Sequence, residues 1–137
     1  MNYWLVKSEP STYSWEKLVK EKKAVWDGVR NYAARNNLRA MKKGDLCFFY
    51  HSNEGLAIVG IAKVAREAFQ DPTTIDIAWS AIEIAPFKEL KNPVTLSSLK
   101  ADKHLSNMQI VRLSRLSVSV VTPEEFEKVL AMSGTKI

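Results

Sequence analysis

Leu46-Cys47-Phe48-Phe49-Tyr50-His51-Ser52 is an apolar run that turns polar only at its end, and Asn53-Glu54-Gly55 separates it from a second run, Leu56 to Phe69. Short aromatic-rich runs divided by turn residues read as a hairpin or a bent pair of strands. Both faces of the first strand are apolar until Tyr50. The switch to Tyr50, His51 and Ser52 puts hydrogen-bonding groups at the strand end, where the mouth of a pocket often lies.

Toward the N-terminus, Lys43-Gly44-Asp45 is a turn, and residues 30–41 carry a helical pattern with Ala34, Leu38 and Met41 inward. Arg35, Arg39 and Lys42 follow at i, i+4 and i+7 on another face. Ala24 to Trp26 is a short strand ended by Asp27-Gly28. Residues 14–22 form an amphipathic helix on Trp15, Leu18 and Val19, and Tyr3 to Lys7 is the first strand, closed by the turn Ser8-Glu9-Pro10.

Toward the C-terminus, Ile75 to Ile84 reads as a strand, Pro86 and Pro93 bracket a connection, and Leu96 to Lys100 makes a helical turn or two. Residues 115–121 alternate, with Leu116, Val118 and Val120 facing one way and Arg115, Ser117 and Ser119 the other. The last helix opens at Thr122, with Pro123 at its first position and Glu125 completing a capping box; Phe126, Val129 and Leu130 form its buried stripe, and Gly134 ends it. Five or six strands with three or four short helices predict an α+β fold, a curled mixed sheet or open barrel flanked by helices.

The chain has 137 residues, 46% apolar and 26% charged, which suits a single domain over 1–137 with one core. No apolar run approaches the length of a membrane helix, and Met1 to Lys7 lacks the pattern of a signal peptide. Cys47 stands alone inside an apolar run and reads as a small buried hydrophobe. A reducing, cytoplasmic location and a monomeric state are the expectations. Formal charge is +5, with ten Lys/Arg against four Asp/Glu in residues 1–43 and ten against eleven in the remainder. An excess confined to one end is either a phosphate-attracting patch or an ordinary solvated lysine surface.

Catalytic and metal chemistry find little support. His51 and His104 are the only histidines, no Gly-x-Ser-x-Gly elbow is present, and the two histidines and one cysteine have no paired metal-ligand spacing. A Walker A loop and a Gly-x-Gly-x-x-Gly turn are both missing, so neither a metal nor a nucleotide cofactor is expected.

The aromatic residues say more. Nine of the thirteen lie in the first fifty residues, together with the basic excess. Trp15 is explained by its helical stripe. Trp26 precedes Asp27-Gly28 and then Arg30-Asn31, so its indole could stack a flat base while polar neighbours read the base edge. The plainer account is a core tryptophan. Arg35, Arg39 and Lys42 could meet phosphates or simply face water, and solvent exposure is the simpler account of the Arg115/Ser117/Ser119 row.

Lys7-Ser8-Glu9-Pro10, Trp26-Asp27-Gly28-Val29-Arg30-Asn31 with Ala34-Arg35, Gly44-Asp45, Phe49-Tyr50-His51-Ser52, Val59-Gly60-Ile61 and Arg115-Leu116-Ser117-Val118 occur in this order. Together they resemble the EVE domain family, over Trp4 to Met132. The resemblance implies a PUA-like pseudo-barrel related to YTH domains, and non-catalytic recognition of a modified base, notably a modified cytosine in DNA. Carried over position by position, the pocket involves Lys7, Ser8, Trp26, Asn31, Tyr50, His51, Ser52, Arg115, Leu116 and Ser117. In that reading Trp26 stacks the flipped base, Tyr50 closes the apolar wall, and Asn31, Ser8 and Ser117 face the base edge. Lys7, His51 and Arg115 bind phosphate or line the entrance, and Arg30, Arg35 and Arg39 extend the contact to the backbone. The chain has Ser119-Val120-Val121 where the family commonly reads Gln-Pro-Val, and Phe69-Gln70-Asp71 where it commonly reads Tyr-Pro-Asp. The rivals are a reader of a modified base in RNA, a hydrolase or nuclease using His51, and a module that binds protein.

Overall fold

The computed structural model describes residues 1–137. The long central run becomes two strands, β3 (Leu46–His51) and β4 (Ala57–Gln70), joined by a loop in which Asn53 and Gly55 take the left-handed conformation, φ 70° and 73°. Around them lie β1 (Tyr3–Ser8), α1 (Trp15–Glu21), β2 (Ala24–Trp26) and α2 (Tyr32–Ala40) on the N-terminal side. On the C-terminal side lie β5 (Ser80–Thr95), α3 (Leu96–Ala101), α4 (Gln109–Arg112), β6 (Val118–Val121) and α5 (Pro123–Ser133). The six strands form one mixed sheet in the order β2-β5-β4-β3-β1-β6, which does not close. Only the β1–β3 pair is parallel. This is the α+β, PUA-like open pseudo-barrel with short flanking helices. No helix is long and apolar enough to cross a membrane.

Strand alternation distributes the apolar side chains to both faces of the sheet. On one face Trp4, Val6, Cys47, Phe49, Ala62, Val64, Ile82, Ile84 and Val118 pack with Trp15 and Leu18 of α1 and Ala34 and Leu38 of α2. On the other, Leu5, Phe48, Tyr50, Ile58, Ile61 and Leu90 pack with Leu99 of α3, Ile110 of α4 and Phe126, Val129 and Leu130 of α5. Two cores share one sheet, where composition alone suggested one.

Four readings need correction. The predicted strand over Ile75 to Ile84 starts only at Ser80, because residues 71–79 form a loop held by hydrogen bonds within it and by Arg35 and Arg39 of α2. Pro86 and Pro93 lie inside β5 rather than bounding a connection. Pro86 sits at a register shift opposite Ala62, and Pro93 falls in the bulge of residues 90–93 between the Glu89–Gly60 and Val94–Ile58 pairs, where no ladder bond is needed. Ser119 is not solvated: it is 1% exposed and its hydroxyl has no hydrogen-bond partner, whereas Val120 is 37% exposed. Helices cover both faces of the sheet, so Ser119 of β6 is buried, while Arg115 of the same row is exposed and Ser117 half-buried. Val19 likewise lies largely outside the helical contact, 46% exposed.

Capping follows local chemistry. Ser14, Asn31, Thr95 and Thr122 accept a backbone N–H at the starts of α1, α2, α3 and α5, and the Thr122–Glu125 box is complete. Buried Asp45 accepts from the Trp4 indole at 3.0 Å and from the Lys42 amide at 3.0 Å, which fixes the Gly44 turn against β1.

Trp15 lies so close over Gly60 that a Cβ there would come within 2.6 Å of the indole. The ring cannot simply withdraw, since its Nε1 donates to Glu89 Oε1 at 3.1 Å. Gly60→Ala is therefore expected to destabilise the fold by about 1–3 kcal/mol through overpacking, read as a lower urea midpoint at unchanged slope.

Candidate nucleic-acid interface

The ends of β1 and β3 assemble much of the expected site. Parallel pairing sets Lys7 beside Tyr50 and Ser8 beside His51, and the Ser52 amide donates to the Ser8 carbonyl at 2.9 Å. On the other flank the Lys7 amide donates to the Ser117 carbonyl at 3.0 Å and Lys7 Nζ to the Ser114 carbonyl at 2.6 Å. Partial burial lowers the Lys7 pKa. The segment Ser114–Ser117 is thereby tied to the end of β1.

Curling of the sheet brings the edge strand β2 round to this end, although three strands separate it from β1 in the sheet order. Ser8 and Trp26 line the same cleft, of about 250 Å³, with Thr12, Tyr13 and Asp27. The half-buried Trp26 ring is held edge-on by Phe49 at 5.6 Å and by Tyr13 at 6.1 Å. Trp4 and Trp15 spend their indole N–H groups on Asp45 and Glu89, whereas that of Trp26 has no protein acceptor. Ser8 Oγ donates to the Tyr13 carbonyl, which leaves its lone pairs free. Gly28, at φ 75°, turns the chain sharply after Asp27. Partial burial, then the neighbouring charge of Asp71, raises the Asp27 carboxyl pKa.

A second cleft, of about 380 Å³, is lined by Asn31, Ala33, Leu113, Ser114, Arg115 and Leu116. Asn31 Oδ1 accepts the Ala34 amide at 2.9 Å as the cap of α2, which leaves its Nδ2 and one Oδ1 lone pair for a ligand. Arg115 is exposed and joins no ion pair of the chain.

A family model, the EVE domain, matches residues 2–132. The chain belongs to the EVE domain family. Thymocyte nuclear protein 1 of Mus musculus is 37% identical over 98% of this chain and 75% of its own length. The crystal structure of an Agrobacterium tumefaciens protein superposes with a TM-score of 0.96 at 47% identity, covering 98% of this chain and 94% of that one. The human THYN1 protein in complex with DNA containing 5-methylcytosine superposes at 0.90 and 33% identity, with both chains covered in full.

In this EVE domain the expected site residues divide into groups. Ser8 and Trp26 share one cleft, and Asn31, Arg115 and Leu116 the other, while Lys7, Ser52 and Ser117 hold the chain segments beside them. Tyr50 is not on the Trp26 wall: it is 3% exposed and belongs to the core on the opposite face, because strand alternation sends it there. His51 also has another occupation. Its Nε2 accepts the Trp15 amide at 3.1 Å, and its ring packs edge-on to Phe49. Arg30, Arg35 and Arg39 are committed to the 71–79 loop rather than standing free. Arg30 pairs with buried Asp71 at 2.9 Å, Arg35 donates to the Ala78 carbonyl, and Arg39 donates to Ser80 Oγ and to the Ile77 and Ala78 carbonyls. Asp27, Tyr13 and Asp71 were not singled out. The Asp27-Gly28 pair looked like punctuation, although its place directly after a tryptophan was the available signal.

Two pH effects follow. Burial raises the Asp71 pKa, but hydrogen bonds from Thr73, Arg30 and Gly28 outweigh it and hold the carboxyl well below the usual carboxylate range. Its contribution to stability is complete above the unfolded value of about 3.9 and is lost as pH falls through the native pKa. Asp71→Asn is expected to cost about 1–3 kcal/mol at pH 7, with the gap to the wild type closing in acid, as read by denaturation at a series of pH values. Burial lowers the His51 pKa against the attraction of Glu16. Stability should therefore fall as pH drops below about 6.5 toward the native value, and an NMR titration of the His51 ring should give a midpoint below that of a free imidazole.

Proposed function

We propose that this EVE domain is a non-catalytic reader of a modified cytosine in DNA, holding the flipped base in the cleft over Trp26. The observation that carries the reading is the pairing, in a cleft with room for one nucleobase, of a half-buried indole whose N–H has no acceptor in the chain with an adjacent carboxylate. The likeness to the human protein in complex with methylcytosine-containing DNA supports it.

Stacking on a tryptophan returns about 1–3 kcal/mol per base, which offsets the few kcal/mol that flipping costs. The Asp27 carboxylate is suited to accept from the exocyclic amine of cytosine and repels the carbonyl that thymine presents there. A methyl group buried against Ala24 or Val25 adds about 0.8 kcal/mol, or about fourfold in affinity. Lys7 and Arg115 lie beside the two clefts, where they suit phosphates, and Ser8, Asn31 and Ser117 supply further polar groups. Residues 1–137 act in this reading as one domain and as a monomer, and the buried free thiol of Cys47 suits an intracellular setting. Binding rather than hydrolysis fits His51, whose acceptor nitrogen is taken by the Trp15 amide.

Matched DNA and RNA oligonucleotides, plain and carrying 5-methylcytosine, at two salt concentrations test the proposal. Trp26→Ala is expected to weaken the methylated DNA by about 5- to 150-fold and to remove discrimination, with the melting curve serving as the fold control. Asp27→Asn should narrow the preference for cytosine over thymine. Discrimination that survives Trp26→Ala removes Trp26 from the base site, and a preference for methylated RNA transfers the reading to RNA.

A further inference from the structure

The 71–79 loop holds two aliphatic side chains out in water, Ile75 at 99% exposure and Ile77 at 84%. Exposing two neighbouring aliphatic groups in this way costs free energy in water. The loop is braced. The buried Asp71 carboxylate accepts from the Gly28 amide, Arg30 Nη1, and the Thr73 amide and hydroxyl, at 2.6–2.9 Å. Gln70 Nε2 donates to the carbonyls of Asp71, Thr74 and Asp76 at 3.0–3.3 Å. Arg35 and Arg39 bond the carbonyls of Ile77 and Ala78 from α2, and Trp79 stacks on Tyr32 at 5.0 Å with Arg30 and Arg35 over the two rings.

We propose that this loop is a wedge that enters the base stack of duplex DNA through Ile75 and Ile77 while the cleft receives the displaced base. The inference rests on the base-reading function proposed above. Aliphatic side chains inserted between base steps are a general means of opening a stack. The partner is argued from charge and from continuity with the cleft. Arg35 and Arg39 are bonded to carbonyls and a hydroxyl, so no carboxylate cancels them at these contacts. The tip's own acid, Asp76, is turned back to accept the Ala78 amide at 2.9 Å. Asp71 fastens the loop to the Gly28 amide, in the turn that carries Trp26 and Asp27. Wedge and cleft are thus tied together through one buried carboxylate. A cation-flanked apolar tip fixed beside a base-sized cleft fits a polyanion with a hydrophobic stack inside.

The test compares wild type with an Ile75→Ser, Ile77→Ser double variant on a methylated duplex carrying 2-aminopurine next to the modified base, and on the methylated single strand. Both side chains are exposed, so the fold should be unaffected. The variant is expected to lose on the order of tenfold in duplex affinity, together with the fluorescence rise that reports unstacking. Its single-strand affinity should stay within about twofold of wild type. Gln70→Ala should weaken duplex binding in the same selective way. Equal duplex affinity and fluorescence in wild type and double variant overturn the wedge while leaving the reader in place. A wild type that prefers the methylated base in neither form overturns the reader and the wedge with it. Loss of binding to phosphatidylserine vesicles, with duplex binding intact, assigns the tip to a lipid surface instead.

Discussion

Burial of β3 on both sides is the constraint from which the architecture follows. Its six residues send Cys47 and Phe49 to one face and Phe48 and Tyr50 to the other, and nearly all of this surface is hidden from water. A strand apolar on both faces requires a strand on each edge and a cover on each side. β1 and β4 supply the edges, α1 and α2 the first cover, and α3, α4 and α5 the second. Burial of the remaining strands then follows from proximity to this one. The register shifts along β4 and β5 allow these two long strands to bend around both cores instead of continuing as a flat ribbon.

Much of this was legible from residue pattern. The β3–β4 pair, β2, α2 and the complete cap of α5 all follow from periodicity and turn chemistry, because each is decided by neighbours in sequence. The failures share a different cause. Residues 75–79 have strand-like composition, yet hydrogen bonds from Arg35 and Arg39 of α2 hold that backbone in a loop. Pro86 and Pro93 normally interrupt a strand, but bulges remove the need for their missing N–H groups. Ser119 looked solvated because nothing local announces that helices close over both faces. In each case a contact distant in sequence outweighed a local preference.

The candidate site shows the same division. Trp26, Asp27 and Gly28 are adjacent in the chain, so their grouping was open to inspection, and only the significance of Asp27 was missed. Tyr50 and His51 were drawn toward the site by their polarity at a strand end, and alternation separates them. His51 faces the Trp26 side but serves as an acceptor for the first amide of α1. Tyr50 faces away altogether. The three arginines illustrate a different point. A positive helix face suggests phosphate contacts, but the guanidinium groups are used to shape a loop, and only the charge left over is available to steer a polyanion.

The position of β1 has a consequence for how the molecule is made. It lies between β3 and β6, and its antiparallel partner reaches Tyr3 through Val121, near the other end of the chain. During synthesis β1 leaves the ribosome before the five strands it joins and must wait for β6, the last of them, before its second edge is covered. Pairings so distant in sequence close late and slowly. Until then that edge lies open, with unpaired backbone groups beside Leu5 and Val6. The nascent chain therefore carries an open apolar edge at β1 for as long as β6 is still to be made.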